Sequence, residues 1–268
     1  MPTTLTIAIL TLNEAQRIAA CVGSASFANQ VLVVDSGSSD GTQEIARTLG
    51  AEVVEYPNWQ GFGEQRGRAL THVNSDYIFF LDADEVITAA LQAEIQSAID
   101  SNVDAIWKVV WTQVAFGRPL TLMAHSGGVA RMFKTGSLLR FDGAVHERAI
   151  TATALPTRIF KARLPHYSRE TVYGSLLKLA QYVQLGAAKR AKAGKRGGIL
   201  HGMASALSIF IKNYFFRRAF LCGAEGFLHC YLLAQECFFR YAALAYDKHA
   251  TEFLSKRQNM PVSPPKES

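Results

Sequence analysis

The chain has 268 residues, 49% hydrophobic and 19% charged, which excludes a disordered polypeptide and allows one large domain or a domain plus an appendage. Its net charge of +6 conceals a split: residues 1–150 hold 10 Lys/Arg against 16 Asp/Glu, and residues 151–268 hold 18 against 6. The asymmetry predicts two functional regions, the second facing an anionic partner such as nucleic acid, an acidic membrane surface or a phosphorylated substrate.

Taken in order, residues 5–11 are apolar and β-branched and read as a buried strand. Asn13-Glu14 follows and can open a helix carrying Ile18, Ala19 and Val22. Residues 30–34 form a second strand ending at Asp35. The run Asp35-Ser36-Gly37-Ser38-Ser39-Asp40-Gly41-Thr42 is built from residues that turn and cap. A helix over 42–49, stopped by Gly50, leads to a strand over 51–55. Residues 62–72 read as a helix and 76–81 as the fourth strand. This β-α-β-α-β-α-β spacing predicts an α/β fold with a mostly parallel sheet flanked by helices. An amphipathic helix over 88–99 and a strand over 105–111 come next. Residues 127–133 and 138–141 look like an antiparallel pair joined by a turn. From about Glu170 the pattern is helical, and 261–268 reads as a disordered tail.

Polar or acidic groups recur at three strand ends, Thr11-Leu12-Asn13-Glu14, Asp35 and Asp82-Ala83-Asp84-Glu85. A parallel sheet puts all three at one edge, where open α/β sheets bind ligands. A buried strand cannot hold three unpaired carboxylates, so those at 82–85 belong where the chain leaves the sheet. Asp82 and Asp84, two residues apart, point to one side of an extended chain and suit Mg²⁺ or Mn²⁺ with phosphate oxygens. The plainer alternative is a strand end followed by an acidic helix start. Arg66, at a helix start, can supply a cation to a diphosphate.

Other chemistries lack their signatures. There is no G-x-x-x-x-G-K-[ST] loop and no G-x-S-x-G elbow, and Gly61-x-Gly63 lacks the third glycine of a dinucleotide fingerprint. No helix-turn-helix spacing, zinc module or RNP signature supports nucleic-acid binding. Cys21, Cys222, Cys230 and Cys237 include no C-x-x-C pair and read as buried thiols of a reducing compartment. Met1-Pro2-Thr3-Thr4 lacks a basic signal-peptide start, and no apolar run reaches the roughly 18 residues of a membrane span.

Three segments in order resemble the family-two glycosyltransferases of GT-A fold: residues 7–14 (IAILTLNE), 33–42 (VVDSGSSDGT) and 80–85 (FLDADE). Residues 59–66 (WQGFGEQR), the LDADE form and Val145-His146-Glu147 narrow the resemblance to lipopolysaccharide core enzymes that add glucose to inner-core heptose. The resemblance implies a UDP-sugar donor. In it, Asn13, Glu14 and Asp35 line the nucleoside. Asp82 and Asp84 hold the diphosphate through the divalent cation, and Arg66 lies near the diphosphate. It also implies inversion at the anomeric carbon, with Glu147 as the base.

An inverting displacement needs a carboxylate opposite the leaving group, and Glu147 is the only acid between Asp142 and Glu170. Surface pairing with Arg148 or Arg131 is the competing role. Asp142 is the rival base, although Asp-Gly more often marks a turn. His146 orients the base, touches the acceptor or packs. Arg131 holds an acceptor phosphate or carboxylate, or is structural.

The expected organisation is a catalytic domain over 1–165 and a helical, basic, aromatic region over 166–260. Lys189, Arg190, Lys192, Lys195 and Arg196 stand near Tyr214-Phe215-Phe216 and its flanking Arg217-Arg218, a composition suited to a membrane interface. Packing as ordinary core is the alternative. The expected protein is therefore a metal-dependent glycosyltransferase on the inner face of the cytoplasmic membrane, with a lipid-linked saccharide acceptor and no nucleic-acid partner. Another lipid-linked glycan, a polyprenyl phosphate or a protein acceptor fits the same fold, and a non-catalytic sugar-nucleotide-binding scaffold is the reading from another class.

Overall fold

The computed structural model describes residues 3–124, 127–142 and 148–247. The tail expected at 261–268 lies outside them, as do Val145, His146 and Glu147. The described chain falls into two units, residues 3–111 with 127–142 and 148–166, and residues 112–124 with 167–247.

The first unit carries the expected α/β sheet. Strands β1 (Leu5–Thr11), β2 (Gln30–Asp35), β3 (Glu52–Glu55) and β4 (Tyr77–Asp82) run parallel in the order β4-β1-β2-β3. All seven residues of β1 are buried, as both-face coverage requires of an uninterrupted apolar run. Helices α1 (Ile18–Ala25), α2 (Thr42–Thr48), α3 (Phe62–Leu70) and α4 (Ala89–Asp100) lie between these strands or follow them. Ile7 and Ile9 of β1 pack with Ile18 and Val22 of α1 and Leu91 and Ile95 of α4. Ala8 and Leu10 point the other way, into a cluster with Ala69 of α3 and Phe80. Helix α4 starts where Thr88 caps it, its side chain accepting from the Leu91 N–H at 3.2 Å.

Beyond β4 the sheet turns antiparallel. Strand β5 (Ile106–Ala115) extends four residues past the expected end and also pairs with the short β6 (Arg118–Pro119). Strand β7 (Val129–Lys134) lies between β4 and β5, antiparallel to both. The expected pairing of 127–133 with 138–141 does not form. Strand β8 (Leu138–Asp142) instead pairs with β9 (Arg148–Thr151) in a separate two-stranded sheet, Asp142 opposite Arg148. Between β7 and β8 the chain makes a 3-10 turn at Thr135–Ser137, and Phe141 of β8 packs edge-on to Phe80 at 5.0 Å. Burial of that aromatic against the face of β4 outweighs a local hairpin. Strand β10 (Thr157–Arg169), next to β5 in the sheet, has no counterpart in the sequence reading.

The second unit is built on α5 (Val172–Lys192), α6 (Ile199–Ile211) and α7 (Gly223–Tyr246). The helical pattern read from about Glu170 onward is interrupted after Ile211 by a π-turn at Lys212–Phe216 and by Arg218 at φ 60. Helices α6 and α7 approach closely at Gly202, where an added Cβ would stand 3.0 Å from the Phe238 carbonyl oxygen. All four cysteines are free, and Cys237 alone of them is incompletely buried.

Candidate active site

Strand register brings the ends of β1, β2 and β4 to one edge of the first unit: Thr11 lies opposite Asp35, and Leu10 opposite Asp82. Asp35 is fully buried and organises the loop that follows it. Its Oδ1 accepts from the Gly37 N–H (2.9 Å), the Ser38 N–H (2.8 Å) and Gln43 Nε2 (2.9 Å), and its Oδ2 from the Ser38 hydroxyl. Asn13, at φ 55, ties β1 to the same loop. Its N–H donates to Ser38 Oγ at 2.7 Å, and its Oδ1 accepts from the Ser39 N–H at 2.8 Å. The Glu14 N–H donates to Thr42 Oγ1 at 2.9 Å, and the Glu14 carboxylate pairs with Arg17 at 2.7 Å. The Ser/Asp/Gly composition thus supplies turn geometry and local hydrogen bonds together. The buried Thr11 hydroxyl has no hydrogen-bond partner among the described residues.

The acidic segment is not extended. After Asp82 the chain turns, and the Glu85 N–H donates to the Asp82 carbonyl oxygen at 2.9 Å. The Glu85 side chain folds back and accepts from the Asp82 N–H at 3.0 Å. This reciprocal closure overrides the same-side placement that an extended Asp82-x-Asp84 would give. Glu85 is fully buried, so one of the three carboxylates does go inside. It can do so because Arg131 of β7 is buried with it: Arg131 Nη2 lies 2.7 Å from Glu85 Oε1 and 2.6 Å from Asp82 Oδ2. Trp111 Nε1 donates to the same Glu85 Oε1 at 2.6 Å, and the Trp111 ring lies 5.6 Å from the Arg131 guanidinium carbon.

Two further groups complete the cluster. Arg66 of α3 places Nη2 3.6 Å from Asp82 Oδ1, with its guanidinium over Phe80 and Phe141. His166 of β10 stacks on Trp111 at 4.7 Å, and its Nε2 stands 3.9 Å from Asp84 Oδ2. The structure therefore gathers Asp82, Asp84, Arg66 and Arg131 around one turn, and gathers Thr11, Asn13, Glu14 and Asp35 at the adjoining strand ends. His146 and Glu147 lie outside the described residues.

Charge is balanced unevenly across this cluster. Burial works to raise the Asp82 carboxyl, but Arg131, followed by Arg66 and His166, takes it well below the usual carboxylate range. Burial pushes the Glu85 carboxyl upward, against the pull of Arg131. Its three named partners are all donors, which suits the ionised form. Burial works to lower the Arg131 pKa, but Asp82 and Glu85 raise it above its ordinary value. The Cys21 thiol donates to the Asp82 carbonyl oxygen at 3.6 Å, and burial together with the surrounding carboxylates keeps it protonated.

A divalent cation fits only one mode here. Among the described residues no three His, Cys, Asp or Glu side chains cluster to hold a metal alone. Mg²⁺ commonly takes one or two carboxylates and completes its shell with phosphate oxygens and water. Asp84, partly exposed and free of the Arg131 clamp, suits that mode, with Asp82 beside it.

Glu85, Trp111 and His166 were absent from the sequence-based site. A signal for Glu85 was present: an arginine inside the apolar run Val129-Ala130-Arg131-Met132-Phe133 needs a buried counter-charge. Nothing local singles out Trp111 or His166.

A model of the family described as glycosyl transferase family 2 matches residues 6–154, more than half of the chain. The chain belongs to glycosyltransferase family 2. This glycosyltransferase is 30% identical over 254 residues to an uncharacterized glycosyltransferase of Rickettsia bellii, covering 88% of its own chain and 84% of the relative. It is 26% identical over 260 residues to the lipopolysaccharide core biosynthesis glycosyltransferase LpsC of Rhizobium meliloti, covering 94% of each. Among solved structures it is similar to glucosyl-3-phosphoglycerate synthase from Mycobacterium tuberculosis in complex with uridine diphosphate, at 22% identity and a TM-score of 0.40. That match covers 51% of this chain and 58% of the other. The α/β sheet with its parallel strands is the GT-A fold that the sequence motifs led us to expect.

Proposed function

We propose that this family 2 glycosyltransferase inverts the anomeric carbon of a UDP-sugar, glucose in the first instance, and delivers it to a lipopolysaccharide inner-core acceptor at the cytoplasmic membrane face. The observation that carries the reading is the turn at 82–85, which leaves Asp84 open at the ligand edge while Arg131 ties down Asp82 and Glu85. Similarity to LpsC along 94% of both chains favours a lipopolysaccharide acceptor over the other lipid-linked glycans.

In this reading the catalytic domain spans 1–165, and the loop held by Asp35 and Asn13 forms the nucleoside side of the pocket. Asp84, with Asp82, would hold a Mg²⁺ or Mn²⁺ ion, which offsets charge on the departing diphosphate. Arg66 adds a fixed positive charge at the same place. Arg131 acts through the carboxylates it clamps, as a positioning residue. Glu147 takes the acceptor hydroxyl proton as the acceptor oxygen bonds to the anomeric carbon and the sugar–diphosphate bond breaks. His146, the residue before it in sequence, touches the acceptor or orients the base.

The test is UDP release measured with and without EDTA, across a panel of UDP-sugars, with heptose-containing core as acceptor. EDTA-sensitive release that requires both UDP-glucose and that acceptor is the expected result. Release that ignores the acceptor would overturn the acceptor assignment, and no release with any UDP-sugar would overturn the donor class.

A further inference from the structure

Helix α6 has no charged residue along its 13 positions and buries only Gly202. Leu200, Met203, Leu207 and Ile211 are exposed, Leu200 to 80% and Leu207 to 62%. Spaced three and four residues apart, they line a single stripe. Gly202, turned toward Phe238 of α7, lies on the other side of the helix. The stripe continues into the π-turn, where Phe215 is 55% and Phe216 78% exposed. An apolar face of this extent is not left to water without a partner.

The surrounding charge identifies that partner. From residue 171 to residue 224 the sequence has nine Lys/Arg and no Asp or Glu. Lys195 and Arg196 precede α6, and Lys212 and Arg218 follow it, all four exposed. A second copy of this chain docked on the same face would oppose these cations with its own. A phospholipid surface bearing negative headgroups offers acyl boundary to the stripe and countercharge to its ends. No helix among the described residues is long and apolar enough to cross a membrane, and α6, at 13 residues, is too short to do so.

We propose that α6 lies flat in an anionic lipid surface, with the Leu200–Met203–Leu207–Ile211 stripe and Phe215-Phe216 at the acyl boundary and the flanking cations on the headgroups. The proposal rests on the part of the functional reading that puts the enzyme at a lipid surface, and not on donor, metal or acceptor sugar.

Sedimentation of the full chain with vesicles tests it, without sugar nucleotide, so a failed transfer assay leaves the result readable. Vesicles of phosphatidylglycerol and phosphatidylcholine in equal parts are compared with pure phosphatidylcholine. Wild type is expected to bind the anionic vesicles and to bind the neutral ones at least about tenfold more weakly. M203E/L207E is expected to lose about tenfold or more of the anionic binding while keeping the wild-type melting temperature, because both side chains are exposed. K195E/K212E is expected to weaken binding to the anionic vesicles alone. Undiminished binding by M203E/L207E would overturn the proposal, as would failure of wild type to bind. A lipid-free dimer dispersed by M203E/L207E would overturn it in favour of self-association.

Discussion

Arg131 and Glu85, 46 residues apart in sequence and both fully or almost fully buried, meet at 2.7 Å, and the same guanidinium nitrogen reaches Asp82 at 2.6 Å. One arginine from an antiparallel strand thus fixes the carboxylates that end a parallel one. Its Nε and Nη1 have no hydrogen-bond partner among the described residues, so the Trp111 ring beside it carries part of its compensation.

Removing one member of such a buried pair strands the other charge. Arg131→Met is therefore expected to cost about 3–5 kcal/mol in urea unfolding. The double variant Arg131→Met/Glu85→Leu is expected to recover part of that loss, since the uncompensated carboxylate goes with it. Equal losses in the single and double variants would show that the pair is not the origin of the effect.

Asp84 presents the opposite case. Its side chain is partly exposed, and its ion-pair neighbour is His166 at 3.9 Å. Asp84→Ala is expected to leave the urea midpoint within about 0.5 kcal/mol of wild type and to lower transfer by roughly a hundredfold or more. Near-normal transfer in this variant would remove Asp84 from the metal role.

The Thr11 hydroxyl is buried and unpartnered among the described residues. Thr11→Val keeps the shape and discards the unsatisfied group, so stability is expected to hold or to rise by up to about 1 kcal/mol. A loss of that size, read in the same unfolding experiment, would mean that the hydroxyl finds a partner in solution.

Asp40 supplies a pH signature away from the acidic turn. Burial raises its pKa, but donation from the Thr42 hydroxyl and from the Ala15 and Thr42 N–H groups together takes it below the ordinary value. A folded pKa below the unfolded one contributes stability above the unfolded pKa, near 3.9, and loses it as pH falls through the folded value. Asp40→Asn is expected to flatten that acid limb of the stability curve and, because the carboxylate is exposed and screened by solvent, to cost no more than about 0.5 kcal/mol at neutral pH. An acid limb identical to wild type would assign the effect to other carboxylates.

The parallel core was legible because strands covered on both faces must read as apolar runs, and residues 5–11 and 77–81 do. The meeting of Thr11, Asp35 and Asp82 followed from the same logic, since right-handed crossovers carry successive parallel strand ends to one edge. Helix starts and stops were nearly as local: Thr88 caps α4, and Gly50, at φ 83, ends the turn after α2.

What only the tertiary structure decided is which distant side chains meet. Periodicity places Arg131 on a strand but says nothing of strand order, and it is the insertion of β7 beside β4 that sets it against Asp82 and Glu85. Sequence chemistry put Glu85 with the other acids where the chain leaves the sheet, with an acidic helix start as the plainer alternative, whereas the chain folds it inward against the buried Arg131. Trp111 and His166 join the site through strands β5 and β10, whose side-by-side placement in the sheet is a long-range pairing with no local trace. Local sequence determined the four parallel strands, their helices and the edge where the acids gather; long-range strand pairing determined which of those acids is clamped, which is buried and which is left open to a ligand.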